Sequence, residues 1–124
     1  MMTDGQVRAL RHAGMLIGGH TVNHPILASL GTDAVRDEIA RGRDTLQAIL
    51  GQRVGLFAYP NGKPGRDYQP AAVDVVRSLG FDAAVSTVPG AGRQGTDLFQ
   101  LPRFTPWDRS AAKFGLRLAR NLWA

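Results

Sequence analysis

Apolar and polar positions alternate along this chain in two periods, and the change from one to the other marks its elements. Val7 and Leu10 share one side of a short helix capped by Thr3 or Asp4, which runs to about Ala13 and stops at Gly14. Met15 to Gly19 is a continuous apolar run bounded by glycine, the pattern of a buried strand. Ile26, Leu27 and Leu30 bring the chain back onto a core. Thr32 is the expected cap of a helix from Asp33 to Leu50, with Val35, Ile39, Leu46, Ile49 and Leu50 at helical spacing and Gly51 closing it. Val54 to Tyr59 is a second strand, and Pro60 to Gln69 a Pro/Gly-rich loop. Pro70 suits the first position of a helix to Leu79, buried along Ala72, Val73, Val76 and Leu79. Asp82 to Thr87 gives a short third strand. Leu98 to Phe104 gives a fourth, which Pro102 confines to an edge or an end. A last helix is predicted from Ser110 to Trp123.

Strand, helix, strand, helix, strand is the α/β pattern of parallel pairing. The 124 residues make one domain or part of one, and 44% hydrophobic content is ordinary for a packed core. With no cysteine, disulfides and thiolate metal ligation are excluded. No apolar run reaches the roughly 18 residues of a membrane span. The first residues lack the basic and apolar blocks of an export signal, so localisation is not readable. The net charge of +5 is spread out, without the aromatic-interleaved basic ribbon of a nucleic-acid binder. Its one cluster is Lys113, Arg117 and Arg120 in the last helix, opposite Phe114, Leu118 and Leu122. That helix suits docking on the domain, which is the expectation, or a membrane surface. The division is therefore 1–108 for the domain and 109–124 for the helix. Asp37, Glu38 and Asp44 are assigned to the solvated face of the second helix, and His12 to the surface.

The candidate chemistry lies in Gly18-Gly19-His20-Thr21-Val22-Asn23-His24-Pro25. Two imidazoles four positions apart, held between glycines and a proline, can meet one divalent ion from a bent turn after a strand. The plainer alternative is that both histidines hydrogen-bond a loop. A catalytic zinc site takes three protein ligands and leaves a position for water, so a third ligand, most simply a carboxylate, has to come from elsewhere.

This stretch resembles the second motif of the polysaccharide deacetylases, the NodB-type domain of carbohydrate esterase family 4, written H-[ST]-x-x-H-[PD]. His20, Thr21, His24 and Pro25 fill those places. Phe57-Ala58-Tyr59-Pro60-Asn61-Gly62 is similar to the third motif in its F-x-Y-P-x-G form, and Leu101-Pro102-Arg103 to a closing strand. The resemblance runs from about Val7 to Arg103. It implies a partial (β/α) barrel of about four mostly parallel strands with flanking helices. It implies metal-dependent hydrolysis of N-acetyl groups on a polysaccharide or oligosaccharide, often by exported or cell-envelope proteins. In that scheme His20 and His24 hold the metal, with zinc the first choice. Thr21 braces the turn, the backbone N–H of Asn61 is the oxyanion donor, and Tyr59 and Pro60 shape the sugar groove. Tyr59 as a plain core aromatic is the competing assignment.

The departures are as informative. The family's first motif, T-F-D-D-G, supplies the base and the third ligand. Thr3-Asp4-Gly5 is only a fragment of it, with one aspartate and no strand before it, and is assigned to a helix cap. Ala58 stands where an arginine often begins the third motif, Arg103 where the acid histidine stands, and Trp107 lies too late for the fourth-motif tryptophan. The expectation is the C-terminal part of a longer deacetylase, inactive by itself, with no catalytic side chain of its own. The alternative is a non-catalytic glycan-binding or assembly module on the same scaffold. An open sheet edge would be covered by a second copy or by exchanged elements, which a compact monomer in light scattering at all concentrations would contradict.

Overall fold

The computed structural model describes residues 2–105 and 107–123; Met1, Pro106 and Ala124, which the proposed division at 108 includes, lie outside them. The first helix, α1 (Asp4–His12), starts at a capping box. Thr3 Oγ1 accepts the Gln6 N–H at 3.3 Å, and Gln6 Oε1 accepts the Thr3 N–H at 2.8 Å. Thr3 and Asp4 are thus helix-start residues. The second helix, α2 (Thr32–Leu50), is capped by Gly31 without a side-chain bond, so Thr32 is its first residue and not its cap. It ends at Gly51 in the left-handed conformation. The third, α3 (Pro70–Ser78), has Pro70 in its first turn, where a missing N–H costs nothing.

The sheet is shorter than the apolar runs predict. Its two strands, β1 (Leu56–Ala58) and β2 (Ala83–Val85), pair in parallel with Leu56 opposite Ala83. A single parallel bridge joins Gly19 to Phe57, and another joins Val85 to Leu101. Four chain segments therefore lie side by side in sequence order, the outer two through one residue each. The expected strand Met15 to Gly19 is corrected by its surroundings. The Met15 N–H is taken by the Leu10 carbonyl at 3.1 Å, and Met15 and Leu16 are 56% and 73% exposed. Pairing begins only where the Gly19 N–H reaches the Leu56 carbonyl at 2.7 Å. The expected strand Leu98 to Phe104 fails because Asp97 caps it into a turn. Its carboxylate accepts the Phe99 N–H at 3.0 Å, and Leu98–Gln100 close a short 3-10 turn before Leu101 joins the sheet.

The core lies between this sheet and α2 and α3. Val35 and Ile39 come from α2, Ala72, Val73, Val75 and Val76 from α3, and Phe57, Ala84 and Phe81 from the sheet side. Tyr59 stacks on Tyr68 with centroids 3.9 Å apart and stands edge-on to Phe57. The last helix, α4 (Ala111–Trp123), forms as predicted but buries no residue. Phe114 meets Phe104 at 5.8 Å, whereas Leu116, Leu122 and Trp123 stay exposed, so docking by a full apolar stripe is not what the structure has. Among the described residues no helix is long and apolar enough to cross a membrane.

Candidate functional site

All four parallel segments deliver their following loops to one end of the sheet. His20 follows Gly19, Tyr59 to Gly62 follow β1, Ser86 and Thr87 follow β2, and Arg103 follows Leu101. In parallel α/β architectures that end carries the chemistry.

The histidine loop is held tightly. The Thr21 hydroxyl donates to the His20 carbonyl at 2.5 Å and accepts the His24 N–H at 3.1 Å. Thr21 and His24 both take positive φ, 65° and 55°, a conformation that non-glycine residues adopt only when their surroundings enforce it. The outcome is that the two rings meet edge to face with centroids 4.8 Å apart. His20 Nδ1 lies 2.7 Å from the Ala58 carbonyl. A carbonyl only accepts, so Nδ1 carries the proton and the Nε2 lone pair is left for a ligand. Metal-binding histidines are commonly oriented in this way by a bond at the other nitrogen. The same contact ties the histidine loop to the end of β1.

Asn61 has φ 57°, and the structure places it in the loop directly after Pro60 at the same end. Its carbonyl accepts the Thr87 hydroxyl at 2.6 Å. Its backbone N–H makes no hydrogen bond among the described residues. Tyr59 and Pro60 are different. Tyr59 is 1% exposed, and its hydroxyl donates to the Phe99 carbonyl at 2.9 Å. Burial raises the pKa of that phenol and, together with the Asp97 charge, pushes the neighbouring Tyr68 up to about 12. Pro60 is fully buried too. Of the two assignments open for Tyr59, the structure has the core aromatic; neither side chain offers a wall to a sugar.

One residue assigned to the solvated face belongs to the site. Glu38 reaches from α2 into the histidine loop. Its Oε2 accepts the N–H groups of Val22 at 3.0 Å and Asn23 at 2.9 Å, and its Oε1 accepts the Asn23 side-chain amide at 2.6 Å. Burial raises the pKa of this carboxyl, but the bonds from Asn23 and Val22 outweigh it and hold it below its ordinary value. The signal was its register. Val35, Glu38, Ile39 and Gly42 share one face of the helix, and the other three are buried.

Both imidazoles suit a divalent ion in donor type, and the His20 ring also in tautomer. They do not complete a site, because among the described residues no group of three or more histidine, cysteine or carboxylate side chains comes together. Arg103 is exposed and supplies no acid.

A histidine pair at the C-terminal end of a parallel sheet lies beside a loop whose Asn61 N–H makes no hydrogen bond among the described residues, and together they mark the candidate site of this α/β domain. The family model for polysaccharide deacetylases matches residues 2–84, and the chain belongs to that family. YxkH of Bacillus subtilis (strain 168), a provisionally assigned polysaccharide deacetylase, is 24% identical over 102 residues, which are 82% of this chain and 35% of that protein. The deacetylase PplD of Streptococcus pyogenes, solved in complex with acetate, superposes with a TM-score of 0.85 at 25% identity over 98% of this chain and 50% of its own. BA3943 of Bacillus anthracis, a pseudoenzyme of family CE4, shares the fold with a TM-score of 0.61 at 22% identity over 68% of this chain and 29% of its own. The chain thus spans 35% of the curated relative and 50% of the PplD structure. These neighbours make the fold the partial (β/α) barrel of the polysaccharide deacetylases, with a parallel sheet and flanking helices.

Proposed function

We propose that this chain is the histidine-bearing part of a metal-dependent carbohydrate N-deacetylase. The observation that carries the proposal is the edge-to-face pair His20 and His24, with His20 pinned through Nδ1 so that Nε2 is free. These two imidazoles would hold the divalent ion, zinc being the best match to neutral nitrogen donors. When bound, such an ion polarises the acetamide carbonyl and lowers the pKa of a water. Thr21 keeps the rings in register through its two hydrogen bonds. The Asn61 N–H, which makes no hydrogen bond among the described residues, lies in the loop after β1 and would take the developing oxyanion. The substrate class is an N-acetylated glycan. The third ligand and the general base are carboxylates that the described residues do not supply. The chain by itself is therefore expected to release no acetate from N-acetylglucosamine oligomers with or without added zinc. Zinc-dependent acetate release that disappears in His20→Ala would contradict this.

The incomplete donor set also favours a second reading, a non-catalytic glycan-binding or assembly module on this scaffold. The two readings separate in a glycan titration: an affinity indifferent to zinc supports the module. We propose in addition that residues 109–124, which Phe114 and Arg117 join to Phe104 and Asp108, lie on an anionic membrane surface, with Lys113 and Arg120 facing the headgroups.

A further inference from the structure

We infer that Glu38 is the positioning residue of the histidine pair: its carboxylate fixes the loop between His20 and His24 and so sets how the two rings face each other. The functional meaning of the inference rests on the metal reading above; the geometric claim does not.

Beyond the Thr21 hydroxyl bonds and the His20 contact with Ala58, little apolar packing holds the loop. Val22 is 44% exposed, Asn23 and His24 are exposed, and Ile26 is 48% exposed, so apolar packing cannot fix the backbone between the histidines. Two consecutive N–H groups, Val22 and Asn23, turn toward α2 and end on one oxygen, Glu38 Oε2. The second oxygen takes the Asn23 amide. One carboxylate thus receives three hydrogen bonds from two adjacent loop residues, and charge-assisted bonds of this kind are the stronger class. The turn they hold is the one whose flanking residues, Thr21 and His24, sit at positive φ. Such a conformation persists only where its surroundings over-determine it.

Gly42, one turn further along the same face, is an independent sign that α2 is fitted to this loop. A Cβ at Gly42 would lie 3.0 Å from both the carbonyl carbon and the oxygen of Thr21. Helix and loop backbone therefore touch directly, and Glu38 meets the loop from a helix that cannot back away without losing that contact. Thr21 links the rings from inside the loop, and Glu38 holds the same turn from outside. Neither touches a reacting atom.

The test compares Glu38→Ala, Glu38→Asp and Glu38→Gln in the full chain by two readouts. The first is the proton–proton contact between the His20 and His24 rings in metal-free protein by NMR. The second is the affinity for zinc ions alone. Gln keeps the reach and an acceptor for both backbone N–H groups, and the Asn23 amide turns over to accept from the new amide. Its rings stay in contact and its zinc affinity stays within about threefold of the parent. Ala removes the acceptor, and Asp withdraws it by one methylene while keeping the charge. Both lose the ring contact and bind zinc about 10- to 100-fold more weakly, the usual cost of losing a group that orients a ligand. Asp guards the test against an Ala variant that does not fold. A lowered melting temperature in both Ala and Asp with ring contact and affinity unchanged would show a merely structural role and overturn the inference. Should the parent chain bind no zinc, the metal reading fails, and the ring contact alone decides the claim about Glu38.

Discussion

Single residues set the geometry of the site. Gly62 closes the loop that presents Asn61, with φ 77°, and a Cβ there would lie 2.8 Å from Thr87 Cγ2 and 2.9 Å from the Thr87 nitrogen. The Thr87 N–H donates to the Gly62 carbonyl at 2.8 Å, so the threonine backbone cannot move aside freely. Gly62→Ala therefore meets both a disfavoured conformation and a backbone clash. It is expected to destabilise the fold by about 1–3 kcal/mol in urea unfolding; a change of less than about 0.5 kcal/mol would mean the loop is not built as described. The histidine loop and the third-motif loop were legible in the sequence because their residues carry the constraint locally, as glycine, threonine and proline beside histidine. Glu38 was not. Its partners are fifteen and sixteen positions away, and a carboxylate on a helix takes a solvated face by default.

At the scale of elements, α1, α2, α3 and α4 form close to where their apolar spacing placed them, because a helix closes its hydrogen bonds within itself. The strands are shorter than expected, because a strand's length depends on its partner. Met15 to Gly18 has no strand partner among the described residues, and Asp97 diverts the start of the fourth segment into a turn. The last helix is the element whose surroundings the sequence read least well. Leu116 and Trp123 are 77% and 89% exposed on one side, while Lys113, Arg117 and Arg120 line another and Arg117 pairs with Asp108 at 3.0 Å. Binding to vesicles rich in anionic lipid is expected to depend on this helix and to weaken with salt. Removing residues 110–124 should abolish co-sedimentation with such vesicles while the rest of the chain keeps its melting curve. Equal sedimentation with and without the helix would rule out that role.

Over the whole molecule, a small parallel sheet with α2 and α3 packed on it has one purpose that its loops make visible. It brings His20, His24 and the Asn61 N–H to one end, and it ties the first loop to the second through the His20 contact with Ala58. The family membership follows from residues 2–84, the part that carries these loops. The described residues bring no third histidine, cysteine or carboxylate side chain together with the two imidazoles into a group that could hold a metal ion, and so the central claim is the pair and not a finished catalyst. The most direct test is a zinc titration of the chain followed through its histidine side-chain NMR signals. His12, on the exposed end of α1, serves as the internal control. The account predicts that the ring signals of His20 and His24 move together, saturate at one ion per chain and leave His12 in place. Signals that do not move, or that move equally for all three histidines, would contradict it.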